Sequence, residues 1–213
     1  HAPLGAEGPF AAASFEDVTI TQILRVSEGG RALRLRLSNR YGPGPLEIGE
    51  VRVVQVDDAG KEVAGTGKRI TFNLEDSIVI PRGSPAVSDA VAMNVPDFAR
   101  LKVEIYLPKA TGPCTCHLTG LDTIAVSPKG NHVGMDFAPA ATGQYRAFLA
   151  AVEVESPETL GTIVAYGDSI TDGVGSTAGA NRRWPDVLAQ RLHDAGQEWA
   201  VANQGISGNR LLS

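Results

Sequence analysis

The chain has 213 residues, 43% of them hydrophobic and 20% charged, enough to build a packed core and too apolar for wholesale disorder. Nineteen basic against twenty-four acidic residues give a formal charge of −5. That balance argues against a nucleic-acid binder, which normally shows a basic face. No apolar run reaches the roughly 18 residues that cross a bilayer, so no membrane span is expected.

The chain begins His1-Ala2-Pro3, without Met or a charged-then-apolar leader, as expected if a signal peptide or tag was removed or never included. Residues 18–155 read as β structure. Leu33, Leu35 and Leu37 alternate with Arg34, Arg36 and Ser38. Ile70-Phe72-Leu74 repeats the alternation, as does Leu101-Val103-Ile105-Leu107, interleaved with Lys102, Glu104 and Tyr106. Val51-Val53 followed by Val54-Val56 shifts face inside one segment, which suggests a bulge. Gly- and Pro-rich turns such as Tyr41-Gly42-Pro43-Gly44-Pro45 and Asp57-Asp58-Ala59-Gly60 separate the runs. Many short strands with regular turns indicate a β-sandwich or jelly roll, here residues 1–156.

Two cysteines, Cys114 and Cys116, lie two positions apart. A bond between them would close a very tight ring, and a metal site with His117 lacks ligands, so they read as two small side chains on one strand face. Cysteine usage therefore leaves the compartment open.

After Ser156-Pro157 the pattern changes, and residues 157–213 form a second unit. Thr162-Ile163-Val164-Ala165-Tyr166 reads as a parallel strand buried on both faces. Trp184, Val187, Leu188, Arg191 and Leu192 mark a helix face, with Pro185 in the first turn and Gly196 at the stop. Trp199-Ala200-Val201-Ala202-Asn203 reads as a second strand, completing a β-α-β unit.

Gly167-Asp168-Ser169-Ile170 follows the first of these strands, at the sheet edge where open α/β sheets bind ligands. A bland reading has Asp168 or Ser169 capping a helix, with Asp172 completing a capping box. The second block, Asn203-Gln-Gly-Ile-Ser-Gly-Asn209, follows the next strand and ends on the same edge. With Trp184-Pro185 between them, the two blocks resemble the GDSL, or SGNH, hydrolase superfamily over about residues 161–213. The β-rich half, with Arg36-Leu37-Ser38-Asn39-x-Tyr41-Gly42, looks like the N-terminal sandwich of some secreted bacterial members.

The resemblance implies a flavodoxin-like α/β hydrolase domain, of which this chain holds the first β-α-β portion. It makes Ser169 the nucleophile and gives the oxyanion hole the backbone N–H groups of Ser169 and Gly208, with Asp168 and Asn209 in support. No metal, nucleotide or flavin cofactor is needed for such acyl transfer. The Gly173-x-Gly175-x-x-x-Gly179 run stands too late after the strand for a dinucleotide fingerprint. The family also carries an Asn donor and an Asp-x-x-His pair, and neither occurs here. Of the four histidines, His193 is expected on a solvated helix surface and His132 on a loop. A chain cut before its base, a nick after Ser213 with the remaining C-terminal polypeptide retained, and a domain that has lost activity all fit. The implied substrate is an acyl ester, a polysaccharide acetate among the options, in a secreted or periplasmic setting. A carbohydrate-binding β domain attached to an inactive or truncated hydrolase is the alternative, with Tyr41, Tyr106 and Tyr145 as its candidate aromatics.

Overall fold

The computed structural model describes residues 13–210. Fourteen strands come first among them: β1 (Val18–Arg25), β2 (Gly30–Ser38), β3 (Leu46–Ile48), β4 (Glu50–Val56), β5 (Lys68–Ile70), β6 (Ile78–Ile80), β7 (Pro85–Val87), β8 (Val91–Val95), β9 (Arg100–Leu107), β10 (Cys116–His117), β11 (Ile124–Lys129), β12 (Ala141–Gly143), β13 (Arg146–Ala147) and β14 (Leu149–Glu155). Then follow β15 (Gly161–Gly167), α1 (Ser169–Asp172), α2 (Trp184–Asp194) and β16 (Trp199–Gly205). The chain is mostly strand, and no helix precedes Ser169 among the described residues. No helix is long and apolar enough to cross a membrane.

Period-2 patterning explains the sheets. One is six-stranded and antiparallel, in the order β12-β11-β1-β9-β4-β5, and a second joins β14, β2 and β7, with β8 also paired to β2. Leu33, Leu35 and Leu37 from the second sheet share one buried core with Ile20, Val51, Val53, Val103 and Ile105 from the first.

The polar positions of β9 show why strict alternation survives on its outer face. Glu104 is fully buried, yet Arg52 donates to its Oε2 at 2.8 Å, Gly134 N–H donates to the same oxygen at 3.0 Å, and Lys102 Nζ stands 3.1 Å from Oε1. A buried carboxylate is tolerable when it is paired in this way.

Three local expectations need correction. β4 pairs with β9 in unbroken register from Glu50 to Val56, so there is no bulge. Val54 is buried on the face opposite Val51 and Val53, outside the shared core. Leu74 does not continue the Ile70-Phe72 face. It sits at φ 70° in a tight turn, 88% exposed, with its N–H donating to Asp89. Finally, Cys114 and Cys116 form a disulfide. The bent chain before β10 brings their Cα atoms to 5.3 Å, inside the span a disulfide bridges.

β10 and β13 form a two-residue ladder, Cys116 with Ala147 and His117 with Arg146. That short ladder is clamped to β1. The buried Gln22 amide donates to Ala147 O at 2.9 Å and accepts from Ala147 N at 2.8 Å. Arg146 donates to Ile23 O and to Asp122.

β15 and β16 are parallel, in register from Gly161–Trp199 to Gly167–Gly205. β15 is not buried on both faces: Ala165 is buried, but Val164 and Tyr166 are 59% and 64% exposed. The face of α2 also differs from the expected stripe. Pro185 and Ala189 are the buried positions, whereas Trp184 is 44% exposed.

The shared core sets the stability of the β-rich part. Ile105→Ala, at a fully buried position in the central strand β9, is expected to cost about 2–5 kcal/mol. Urea denaturation of the variant beside the wild type measures it.

Candidate active site

The parallel register delivers both motif blocks to one end of the strand pair. Beyond Gly167, Asp168 takes an extended conformation and caps α1, its Oδ1 accepting from Ile170 N–H at 3.0 Å. Ser169 is therefore the first residue of a one-turn helix that stops at Gly173, whose φ is 101°. Ser169 is half-buried, and its hydroxyl has no hydrogen-bond partner among the described residues. At this first helical position its N–H also lacks an intrahelical acceptor.

The second block folds back over the first. Ile206 N–H donates to Gly167 O at 3.0 Å, and Asn209 N–H closes a turn onto Ile206 O at 2.9 Å. Gly208 takes φ 84° in that turn, a conformation L side chains rarely adopt, and its N–H meets no acceptor among the described residues. The Asn209 side chain donates to the Tyr166 hydroxyl at 3.0 Å. Gly205 is needed for another reason: a Cβ there would lie 2.2 Å from Asp172 N, so the two blocks pack backbone to backbone. Asn203 completes the seam, donating to Thr171 O at 2.7 Å and accepting from Gly205 N–H at 2.9 Å. An open cavity of about 450 Å³ lies at this end of the strand pair, lined by Tyr166, Gly167, Asp168, Asn209 and Arg210.

Asp172 does not act in a capping box. Its carboxylate is buried, and one oxygen faces His117 Nε2 at 2.7 Å. The other accepts from Ser207 N–H at 3.1 Å and from Ser207 Oγ at 2.5 Å. Burial pushes the Asp172 pKa up, but the His117 and Ser207 hydrogen bonds outweigh it and hold the carboxyl below the ordinary Asp range.

Arg183 ties the same region to the β-rich part. Its guanidinium donates to Asp172 O at 2.9 Å and to Thr119 O and Gly120 O at 2.8 and 2.9 Å. The late glycine run joins in, with Gly179 N–H donating to Leu121 O at 2.8 Å.

The remaining histidines lie elsewhere. His132 occupies a loop as expected, its N–H donating to Thr19 Oγ1 at 2.8 Å. His193 is not simply solvated. It meets Phe98 edge-on at 5.1 Å and lies 3.7 Å from Asp97. Asp97, His193 and Glu198 hold metal-ligand atoms within 4.8 Å of one another, but Asp97 also accepts from Gly29 N–H at 2.6 Å, and the group belongs to the packing of α2 on the β8–β9 turn.

Sequence reasoning placed Ser169, Gly208, Asp168 and Asn209 near one another but missed Asp172, Asn203 and Arg183 as the residues that brace them. It also missed His117, which stands 55 positions before its partner and belongs to no local motif.

Because the Asp172 pKa is depressed in the folded protein, its contribution is present above the unfolded value of about 3.9 and is lost as pH falls through the folded one. The melting-temperature gap between wild type and Asp172→Asn should be widest above about pH 5 and narrow on acidification. Thermal melts across that range check it, and a gap independent of pH would remove the ionic role of Asp172.

No curated protein matches the chain. Residues 165–213, which begin inside β15 and span both blocks, match the GDSL-like Lipase/Acylhydrolase family. That match and the paired strand-end blocks that carry it make this segment similar to the GDSL-like acylhydrolases, over residues 165–213 of the chain.

Proposed function

We propose that the protein is a serine ester hydrolase of the GDSL type, removing acyl groups such as acetyl from carbohydrate or small esters. The observation that carries this reading is the meeting of the two blocks at one end of the β15–β16 pair, with the Ser169 hydroxyl and the Gly208 N–H both uncommitted among the described residues. Ser169 is the nucleophile. Its own N–H and that of Gly208 stabilise the tetrahedral oxyanion, where fixed donors contribute most because they need not reorganise. Asp168 supports the serine by capping its helix, and Asn209 supports the Gly208 turn through Tyr166.

A serine hydroxyl needs a neighbouring base to attack an ester carbon. In the native enzyme that base comes from an Asp-x-x-His sequence on further polypeptide. The open side of β15 supports this: the strand pairs with β16 alone among the described strands, and Val164, Tyr166 and Ile170 are exposed beside it. A third parallel strand and its covering helix would bury them.

The unit of residues 1–156 acts as a jelly-roll-like sandwich and that of 157–213 as the start of a flavodoxin-like hydrolase domain, residues 1–12 and 211–213 lying outside the described residues. The shared core of the two antiparallel sheets supports the first assignment, and the parallel β15–β16 pair the second. The Cys114–Cys116 disulfide supports a secreted or periplasmic location, where such bonds persist. A polysaccharide ester suits that setting. A sugar-binding role for the β half alone is less well supported, because Tyr106 donates its hydroxyl to Asp17 and Tyr145 packs on the core.

Two experiments test the reading. In the native full-length protein, a fluorophosphonate should label Ser169, and Ser169→Ala should abolish labelling and lower ester hydrolysis by about 10⁴-fold or more with the fold intact. Labelling of Ser169→Ala at the wild-type rate would overturn the assignment. The 213-residue chain assayed alone on p-nitrophenyl acetate should show no turnover that depends on Ser169.

A further inference from the structure

The β-rich part reaches the buried carboxylate of the candidate active site through the His117 side chain. His117 lies on β10, and every neighbour of that strand is fixed. Cys116 beside it is bonded to Cys114, and both sulfurs are buried. The partner strand β13 is locked to β1 through both polar groups of the Gln22 amide and through Arg146. His117 is thus presented from a braced platform, three-quarters buried, with Nε2 aimed at Asp172.

The hydrogen bonds beyond His117 lead to the residue before Gly208. Asp172 accepts from His117 on one oxygen and from the backbone and hydroxyl of Ser207 on the other. Ser207 immediately precedes Gly208. A carboxylate held on one side only can rotate about its terminal torsion, which is broad and roughly two-fold. Held on both sides, it anchors Ser207 at its N–H and its hydroxyl, and so fixes the residue from which the chain turns into Gly208. Ser207 is exposed, and beyond Asp172 its only polar neighbour among the described residues is Thr119 Oγ1, at a long 3.5 Å.

We propose that His117, supplied by the β-rich part, is a positioning residue for the hydrolase site: through Asp172 and Ser207 it holds the turn that aims the Gly208 N–H at the oxyanion. The β-rich part is then a structural component of the active site rather than a tethered module. Because Asp172 accepts, Nε2 carries a hydrogen in either charge state of the ring. A glutamine, whose amide nitrogen reaches about as far as Nε2, can replace that donor, and an alanine cannot.

This inference rests on Ser169 acting as nucleophile, and the test separates the two claims. The rate of fluorophosphonate labelling at Ser169 and the kcat and KM for p-nitrophenyl acetate are measured in the native full-length protein carrying His117→Ala, His117→Gln or Ser207→Ala, with thermal melts alongside. Loss of a whole oxyanion donor costs about 10²–10³ in rate, so a misaimed one is expected to cost about tenfold or more in labelling rate and kcat. KM should move less than about threefold, since ground-state binding does not use the oxyanion donor. His117→Gln should recover most of the loss. Should His117→Ala fail to fold, Ser207→Ala removes one of the two bonds that tie Ser207 to Asp172 and is expected to show a smaller fall in kcat of the same kind. Wild-type labelling with an unchanged rate in folded His117→Ala or Ser207→Ala overturns this inference alone, as does a folded His117→Gln no faster than His117→Ala. A wild-type protein not labelled at Ser169 overturns the hydrolase reading, and this inference with it.

Discussion

A carboxylate removed from water remains ionised only where other donors replace the water it has lost. Asp172 meets that condition with donors from two distant parts of the chain, His117 on β10 and Ser207 beyond β16. The architecture around the candidate site follows from this requirement. β10 needs a firm base, which β13, Gln22 and Arg146 provide. The block that carries Asp172 has to approach the end of β16 closely, and Gly205 leaves room for it. Arg183 fills the remaining angle by joining the Asp172 carbonyl to those of Thr119 and Gly120.

Much of this architecture is legible in the sequence because it is periodic. Alternation identified β2 and β9, and a short apolar run identified β15 as one member of a parallel pair. The failures share a cause: each depended on what lay opposite a residue rather than beside it. Val54 looked like a change of face within β4, but it is buried on the outer side of a strand whose register never breaks. The apolar stripe of α2 suggested Trp184 as a core residue. The structure instead turns Pro185 and Ala189 inward, so that His193 meets Phe98 across the seam. Leu74 followed the alternation until a positive φ carried it into solvent.

The candidate site divides along the same line. Ser169 and Gly208 sit in short motifs whose spacing reflects local turns, and those motifs identified them. The His117–Asp172 bond leaves no mark in the sequence, because two residues 55 positions apart show no periodicity. The cysteine pair misled for a related reason. The tightness of so short a ring argued against a bond, and the bend before β10 that brings the two Cα atoms to 5.3 Å is announced by no local pattern.

The chain order of the β10–β13 ladder has a kinetic consequence. Its strands, the clamp from β1 and the closing strand β14 all precede Ser169. During synthesis, which runs from the N-terminus, the platform that presents His117 can be complete while the segment bearing Asp172 is still leaving the ribosome. Pairings such as β1 with β9 and β11 span long stretches of chain and form slowly, because loop closure precedes any gain from contact. The slow assembly is thereby placed ahead of the fast local turns at Ser169 and Gly208. The β-rich part then serves as an intramolecular template, and the segment that follows it docks onto a surface that already exists.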